Sequence, residues 1–325
     1  MAETVNISKM AEKLSKELFA EFLWGKSGLT NVNWACEEQS QHNAKTHPSD
    51  VVFYYDEPYS QARTYINTDL KSYAKGTISI GSIRSAIESL ARSLTCAEKS
   101  SEWRDRFLHD HVSPQICGLL FVYNHDGEYD KDFASLLGQV RNEKLEIPSR
   151  SKIVVLGPDD IYWLNNVRHE IVNMRGGTGE IPAREHCKFY YPHLVRKKNV
   201  QLDAAKAATL EMLTAPWIVL SYTNPDSQNR KGYVVFLRKR GGSTEEFLYL
   251  IDYLMHYQIL VEGTDVSIRA LDPNPNAAAF FDKAKSQYID EVQGGADLEK
   301  RLNLIKFGQI NDVRTKFSDI ELGMD

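Results

Sequence analysis

The 325-residue chain is short of several things, and each shortage narrows what it can do. It holds four cysteines, Cys36, Cys96, Cys117 and Cys187, far apart and without a Cys-x-x-Cys pair. That spacing argues against a disulfide framework and against a zinc site, and it fits a reducing cytoplasm. No apolar run approaches the roughly 18 residues that suggest a membrane span. Met1-Ala2-Glu3-Thr4 lacks the basic stretch that opens a secretory signal. Cationic excess is missing as well, since the formal net charge is −5. That argues against a protein coated in basic surface, although a local groove on an acidic protein can still be positive. Arg175-Gly176-Gly177-Thr178-Gly179 lacks the lysine-serine or lysine-threonine pair of a phosphate-binding loop, and no strand feeds it; it reads as a connector.

What remains is an ordinary globular balance, 42% hydrophobic and 26% charged. The length fits two domains, placed at residues 1–183 and 184–325. A helix is expected from Ile7 to Trp24, with Leu14, Leu18 and Phe22 as its apolar stripe and Gly25 and Gly28 as its stop. Glu17 and Glu21 share a neighbouring face of it. Strands follow at Val32–Glu38, at Val51–Tyr55 and at Thr64–Lys71, the last two joined by the turn-rich Asp56-Glu57-Pro58-Tyr59-Ser60. A long helix is expected over Ser79–Phe107. Ile116–Asn124 then reads as a buried central strand, nearly continuous in apolar residues.

Within this frame stand two acids and a lysine. Asp50, in Pro48-Ser49-Asp50, precedes one strand; Asp69-Leu70-Lys71 closes the next. Residues two apart on a strand share a face, so Asp69 and Lys71 point the same way. Two carboxylates can hold a hard divalent cation, and a nearby ammonium can orient water or stabilise a developing oxyanion. A solvated or structural ion pair is the bland alternative.

These residues and this order of elements resemble the PD-(D/E)xK nuclease superfamily, with its restriction-endonuclease-like fold. The resemblance runs from about residue 8 to residue 124. It implies an α/β domain with a mixed sheet flanked by helices, followed here by a second, α+β domain. It further implies a Mg²⁺- or Mn²⁺-dependent phosphodiesterase acting on DNA, with Asp50, Asp69 and Lys71 as the catalytic group. Metal ligands would be Asp50, Asp69 and the carbonyl of Leu70, and either Glu21 or Glu17 as a further acid from the first helix. The Gln-x-x-x-Tyr signature of some nuclease branches is absent from Ser79–Phe107. A nuclease carrying its own assembly domain is similar in style to effectors of bacterial anti-phage systems, which act with a partner protein from the same operon.

Further DNA contacts are expected from Tyr73 and Lys75, and from Arg196-Lys197-Lys198 in the most basic stretch of the chain. The aromatics of that stretch, Phe189, Tyr190 and Tyr191, read instead as packing. Asp130–Lys144 and Asp159–Met174 read as helices around a strand at Lys152–Leu156. Beyond Leu202, helices are expected at Ala204–Leu213, Glu245–Tyr257 (capped by Thr244), Asn276–Val292 and around Leu298–Phe307. Strands are expected there at Trp217–Tyr222, Gly232–Lys239 and Val266–Leu271. The helix after Thr244 is apolar on more than one face, which fits a homo-oligomeric or partner contact; His256 within it reads as a core histidine. A catalytically silent, nuclease-like DNA-binding or scaffolding subunit is the alternative to the enzyme.

Overall fold

Five strands of the amino-terminal half form one mixed sheet in the computed structural model, which describes residues 9–10, 12–109, 113–142, 145, 152–192 and 205–314. In chain order the strands of this half are β1 (Gly25–Ser27), β2 (Val32–Ala35), β3 (Thr46–Ser49), β4 (Val51–Asp56), β5 (Ala62–Tyr73), β6 (Ser113–Asn124) and β7 (Ile153–Leu156). The sheet order is β1-β4-β5-β6-β7, while β2 and β3 pair separately as a two-stranded ribbon. β1, β4 and β5 are antiparallel neighbours; β5, β6 and β7 run parallel. This is the mixed, helix-flanked sheet that the sequence implied. The described residues divide into two compact units, one running to Tyr162 and one spanning Trp163–Arg314.

Several boundaries differ from expectation, for identifiable reasons. The opening helix, α1, contains a π turn at Leu14–Leu18 and ends with Phe19–Glu21. Trp24 leaves it to stack on Phe19, ring centroids 4.4 Å apart. Gly25 is more than a helix stop. The Tyr54 ring lies over it, where any Cβ would collide, so glycine lets β1 take the sheet edge expected for Val32–Glu38. Val32–Ala35 pairs with Thr46–Ser49 instead.

The long helix breaks into α3 (Ile80–Lys99) and α4 (Ser101–Phe107), after the short α2 (Gln39–His42). Ser79 and Ser82 cap α3 reciprocally, and buried Ser100 takes an extended conformation to accept a bond from the Trp103 amide. Ile83, Ile87, Leu90 and Leu94 face the sheet, as their spacing requires. Gly118 of β6 lets α3 approach closely: a Cβ there would meet Leu94 Cδ1 at 2.9 Å.

The second unit carries its own sheet, ordered β12-β11-β10-β9-β8. Its strands are β8 (Cys187–Phe189), β9 (Trp217–Asn224), β10 (Arg230–Leu237), β11 (Asp265–Leu271) and β12 (Lys306–Ile310). Two of these overturn expectations. β8 lies within the most basic stretch, where no strand was expected, and β12 begins where a helix was expected to run on to Phe307; that helix stops at Asn303. Arg175-Gly176-Gly177 is no simple loop either, because it closes a helix in a π turn, Asn173–Gly177. Of the helix expected over Ala204–Leu213, the described residues form only Leu210–Leu213, capped by Thr209. Ser243, not Thr244, caps the helix Thr244–His256. His256 is exposed and meets Tyr257 edge to face rather than sitting in the core.

All four cysteines are buried and unbridged. Distance along the chain misled in one respect: Cys36 and Cys96 lie with their sulfurs 3.7 Å apart.

Candidate active site

The pairing of β4 with β5 builds the site. Val51 faces Thr68 in the antiparallel ladder, so Asp50, one step earlier, arrives opposite Asp69. Asp69 is not at the strand end, as expected, because β5 runs on to Tyr73. The extension keeps Asp69, Lys71 and Tyr73 on one face in alternation with the buried Thr68 and Leu70.

Asp50 is 6% exposed. Its Oδ2 accepts the Leu70 amide at 2.8 Å, and its backbone carbonyl accepts the Asn31 amide at 2.7 Å. Lys71 Nζ meets Asp69 Oδ1 at 2.7 Å, with the lysine side chain still 33% exposed. Two acids and an ammonium therefore converge, with solvent access on the lysine side.

Electrostatics divide the two acids from the base. Burial, and then the Asp69 charge, push the Asp50 carboxyl up to about 7, against the Leu70 amide and Lys71, which favour its ionised form. Burial pulls the Lys71 ammonium down, but Asp69 and then Asp50 outweigh it, so its pKa lies above the ordinary lysine value. Burial also raises the Tyr73 phenol. At neutral pH the lysine is charged, and burial beside Asp69 opposes ionisation of the Asp50 carboxyl.

The remaining expected residues fare differently. Glu17 and Glu21 are half-buried on α1. Lys75 is already engaged: its Nζ meets Asp130 Oδ2 at 2.7 Å and its amide donates to Asp126. Arg196, Lys197 and Lys198 lie outside the described residues. The neighbouring aromatics pack inward, with Phe189 buried, Tyr190 Oη on the Tyr257 carbonyl and Tyr191 Oη on the Ala207 carbonyl. Sequence reasoning missed a second convergence, of Cys36, His42, His47 and Cys96. The available signal was the short run Cys36, His42, His47, in which the histidines matter as much as the cysteine.

No curated protein matches the chain. Among helices of the described residues, none is long and apolar enough to cross a membrane. A family model described as the GAPS4 protein PD-(D/E)XK nuclease domain matches residues 1–160. That span contains the mixed sheet, Asp50, Asp69 and Lys71, and the amino-terminal part of this chain therefore belongs to the PD-(D/E)XK nuclease superfamily.

Proposed function

We propose that the amino-terminal unit hydrolyses phosphodiester bonds in DNA with Asp50, Asp69 and Lys71 as its catalytic group. The observation that carries this reading is the convergence of Asp50, opposite Asp69 across the β4–β5 ladder, with Lys71, whose Nζ lies 2.7 Å from Asp69 Oδ1; burial, and then the Asp69 charge, raise the Asp50 carboxyl. Like charges forced together in a poorly solvated place call for a proton or a cation between them. The donor set is all oxygen, which suits Mg²⁺ or Mn²⁺ rather than a softer metal.

Asp50 and Asp69 would hold that ion, which when bound would supply charge neutralisation at the phosphate and an acidified water. Leu70 is the third candidate ligand. Its amide points to Asp50, and the N–H and C=O of one strand residue face the same edge, so its carbonyl is directed there too. Glu21 or Glu17 would complete the shell from α1. Lys71, held by Asp69 and partly open to solvent, would orient the attacking water and offset charge on the phosphate oxygens. Tyr73, on the same face, would contact a flanking phosphate.

The carboxy-terminal unit is proposed as the assembly or partner-binding part. Its exposed large apolar side chains include Tyr249 and Leu304, at 64% and 61%. Together the two parts make an effector of bacterial anti-phage defence, acting in the cytoplasm with a second copy of itself or a partner from the same operon. The test is plasmid DNA incubated with the full chain in Mg²⁺, Mn²⁺ or EDTA, beside Asp69→Ala and Lys71→Ala. Cutting is expected only with a divalent ion and only in the wild type. Cutting that ignores both substitutions would remove this site from consideration, and DNA binding without cutting would favour the silent subunit.

A further inference from the structure

Four side chains distant in sequence meet on one side of the β2–β3 ribbon. Cys36 follows β2 directly; His42 ends the one-turn α2; His47 lies in β3 opposite Trp34; Cys96 comes from the last turn of α3. Cys36, His47 and Cys96 are buried, and the His42 side chain is 9% exposed. Each offers one ligand atom, and the four atoms lie within 4.8 Å of one another. We propose that Cys36, His42, His47 and Cys96 form a structural zinc site that ties the β2–β3 ribbon to α3 just ahead of Asp50.

The distances fit one tetrahedral ion. Zinc bonds of about 2.3 Å to sulfur and about 2.0–2.1 Å to nitrogen give tetrahedral edges of about 3.8 Å (S–S), about 3.6 Å (S–N) and about 3.3 Å (N–N). Here the Cys36 and Cys96 sulfurs are 3.7 Å apart. His42 Nδ1 is 3.4 Å from each sulfur, and 3.4 Å from His47 Nε2. Four of the six edges thus have tetrahedral length, and the other two, from His47 to the sulfurs, are no longer than 4.8 Å.

Hydrogen bonding alone does not account for this arrangement. His42 Nδ1 has three close neighbours, but a ring nitrogen carries either one proton or one lone pair and can satisfy only one of them. A central cation satisfies all of them at once. The far nitrogen, His42 Nε2, lies 3.5 Å from Glu38 Oε2, and Glu38 is itself paired with Lys99. A carboxylate behind a histidine fixes its tautomer, leaving the Nδ1 lone pair for the metal, as outer partners of metal-bound histidines do.

Charge and chemistry select the ion. Two thiols release their protons to solvent on binding, and two thiolates with two neutral imidazoles offset the 2+ charge, so no net charge is buried. Sulfur and imidazole nitrogen exclude Mg²⁺ and Ca²⁺, which take oxygen. Ligand atoms this close leave room for one ion, not for a two-iron cluster. A Cys36–Cys96 disulfide would give the two histidines no role.

Metal analysis of the full chain, purified without chelators from zinc-supplemented medium, is expected to give about one zinc per chain. Refilling the stripped wild type with Co²⁺ should produce thiolate-to-cobalt charge transfer and intense tetrahedral d–d bands; this readout needs no variant to fold. Cys96→Ser and His42→Ala should lose stoichiometric zinc. Glu38→Gln should keep the fold but weaken zinc about 10- to 100-fold. Asp69→Ala should keep all of it, so failure of the nuclease reading stays separate from failure here. Wild-type protein without zinc and without the cobalt bands, iron in its place, a Cys36–Cys96 disulfide on peptide mapping, or zinc retained by the Cys96→Ser/His42→Ala double variant would each overturn the proposal.

Discussion

The amino-terminal unit holds two clusters built on opposite principles. Asp50, Asp69 and Lys71 bring oxygen and charge to a place that remains partly wet, with Lys71 a third exposed. Cys36, His42, His47 and Cys96 bring sulfur and nitrogen to a place that is nearly dry. The first is unbalanced without something that exchanges, whether a proton, a cation or a phosphate. The second would be satisfied by the one tightly held ion proposed above. Hard, open and strained against soft, closed and balanced is the contrast between a working site and a brace. The brace stands close to the work. β3 carries His47, and Ser49 at its end accepts the indole N–H of both Trp34 and Trp103 at 3.1 and 3.2 Å, immediately before Asp50.

The largest expected effect separates the two clusters by activity. Asp69→Ala and Lys71→Ala should lower DNA cleavage by about 10²–10³-fold or more, while circular dichroism and zinc content stay those of the wild type. Cleavage loss accompanied by zinc release would join the clusters into one and break the comparison.

Next comes stability. Cys96→Ser or His42→Ala should lower Tm by roughly 5 °C or more, because metal binding is folding free energy here. A chelator strong enough to strip zinc should reproduce that fall in the wild type and add nothing in the variants. A variant that keeps its Tm would reduce the brace to ordinary packing.

A pH series sharpens the comparison further. The Asp50 carboxyl titrates near 7 in the fold, against an ordinary value of 3.8. A raised acid stabilises the fold in its protonated form. That contribution is complete below the ordinary value and is lost as pH climbs through about 7. Without a divalent ion, Tm should therefore decline between about pH 4 and pH 7 and level off above it. Mg²⁺ should restore Tm on the alkaline side. Asp50→Asn should flatten the decline and abolish cleavage together; a decline that persists in this variant would place its origin elsewhere.

Smaller effects belong to residues that hold the frame. Ser100→Ala removes a buried helix cap and should cost about 1 kcal/mol, read as a shift of about 2–4 °C in Tm without loss of zinc. Lys75→Ala should leave Tm and cleavage near wild type, since its ammonium is held by Asp130 on the surface. A clear rise in KM for DNA in that variant would restore Lys75 as a phosphate contact.

Local pattern along the chain settles much of this protein. Alternation marks the strands that carry Val51–Tyr55 and Thr64–Lys71, helical spacing marks Ile83, Ile87, Leu90 and Leu94 as one buried face, and the neighbouring strands put Asp50 and Asp69 within reach of each other. Those features depend on residues a few positions apart, or joined by a short turn, and such contacts are written in order along the chain. Other features are hidden. Gly25 reads as a stop because its partner, the Tyr54 ring, is far away in sequence. β8 and β12 are short edge strands, recruited by neighbours rather than by their own composition. The Cys/His cluster is the deepest omission. Its fourth ligand, Cys96, comes from a helix 60 positions beyond Cys36, and no spacing rule spans that distance. Sequence determined which chemistry each segment could carry; tertiary packing decided which of those groups would meet, because meeting across long separations is fixed by the shape of the whole core and not by any one stretch of it.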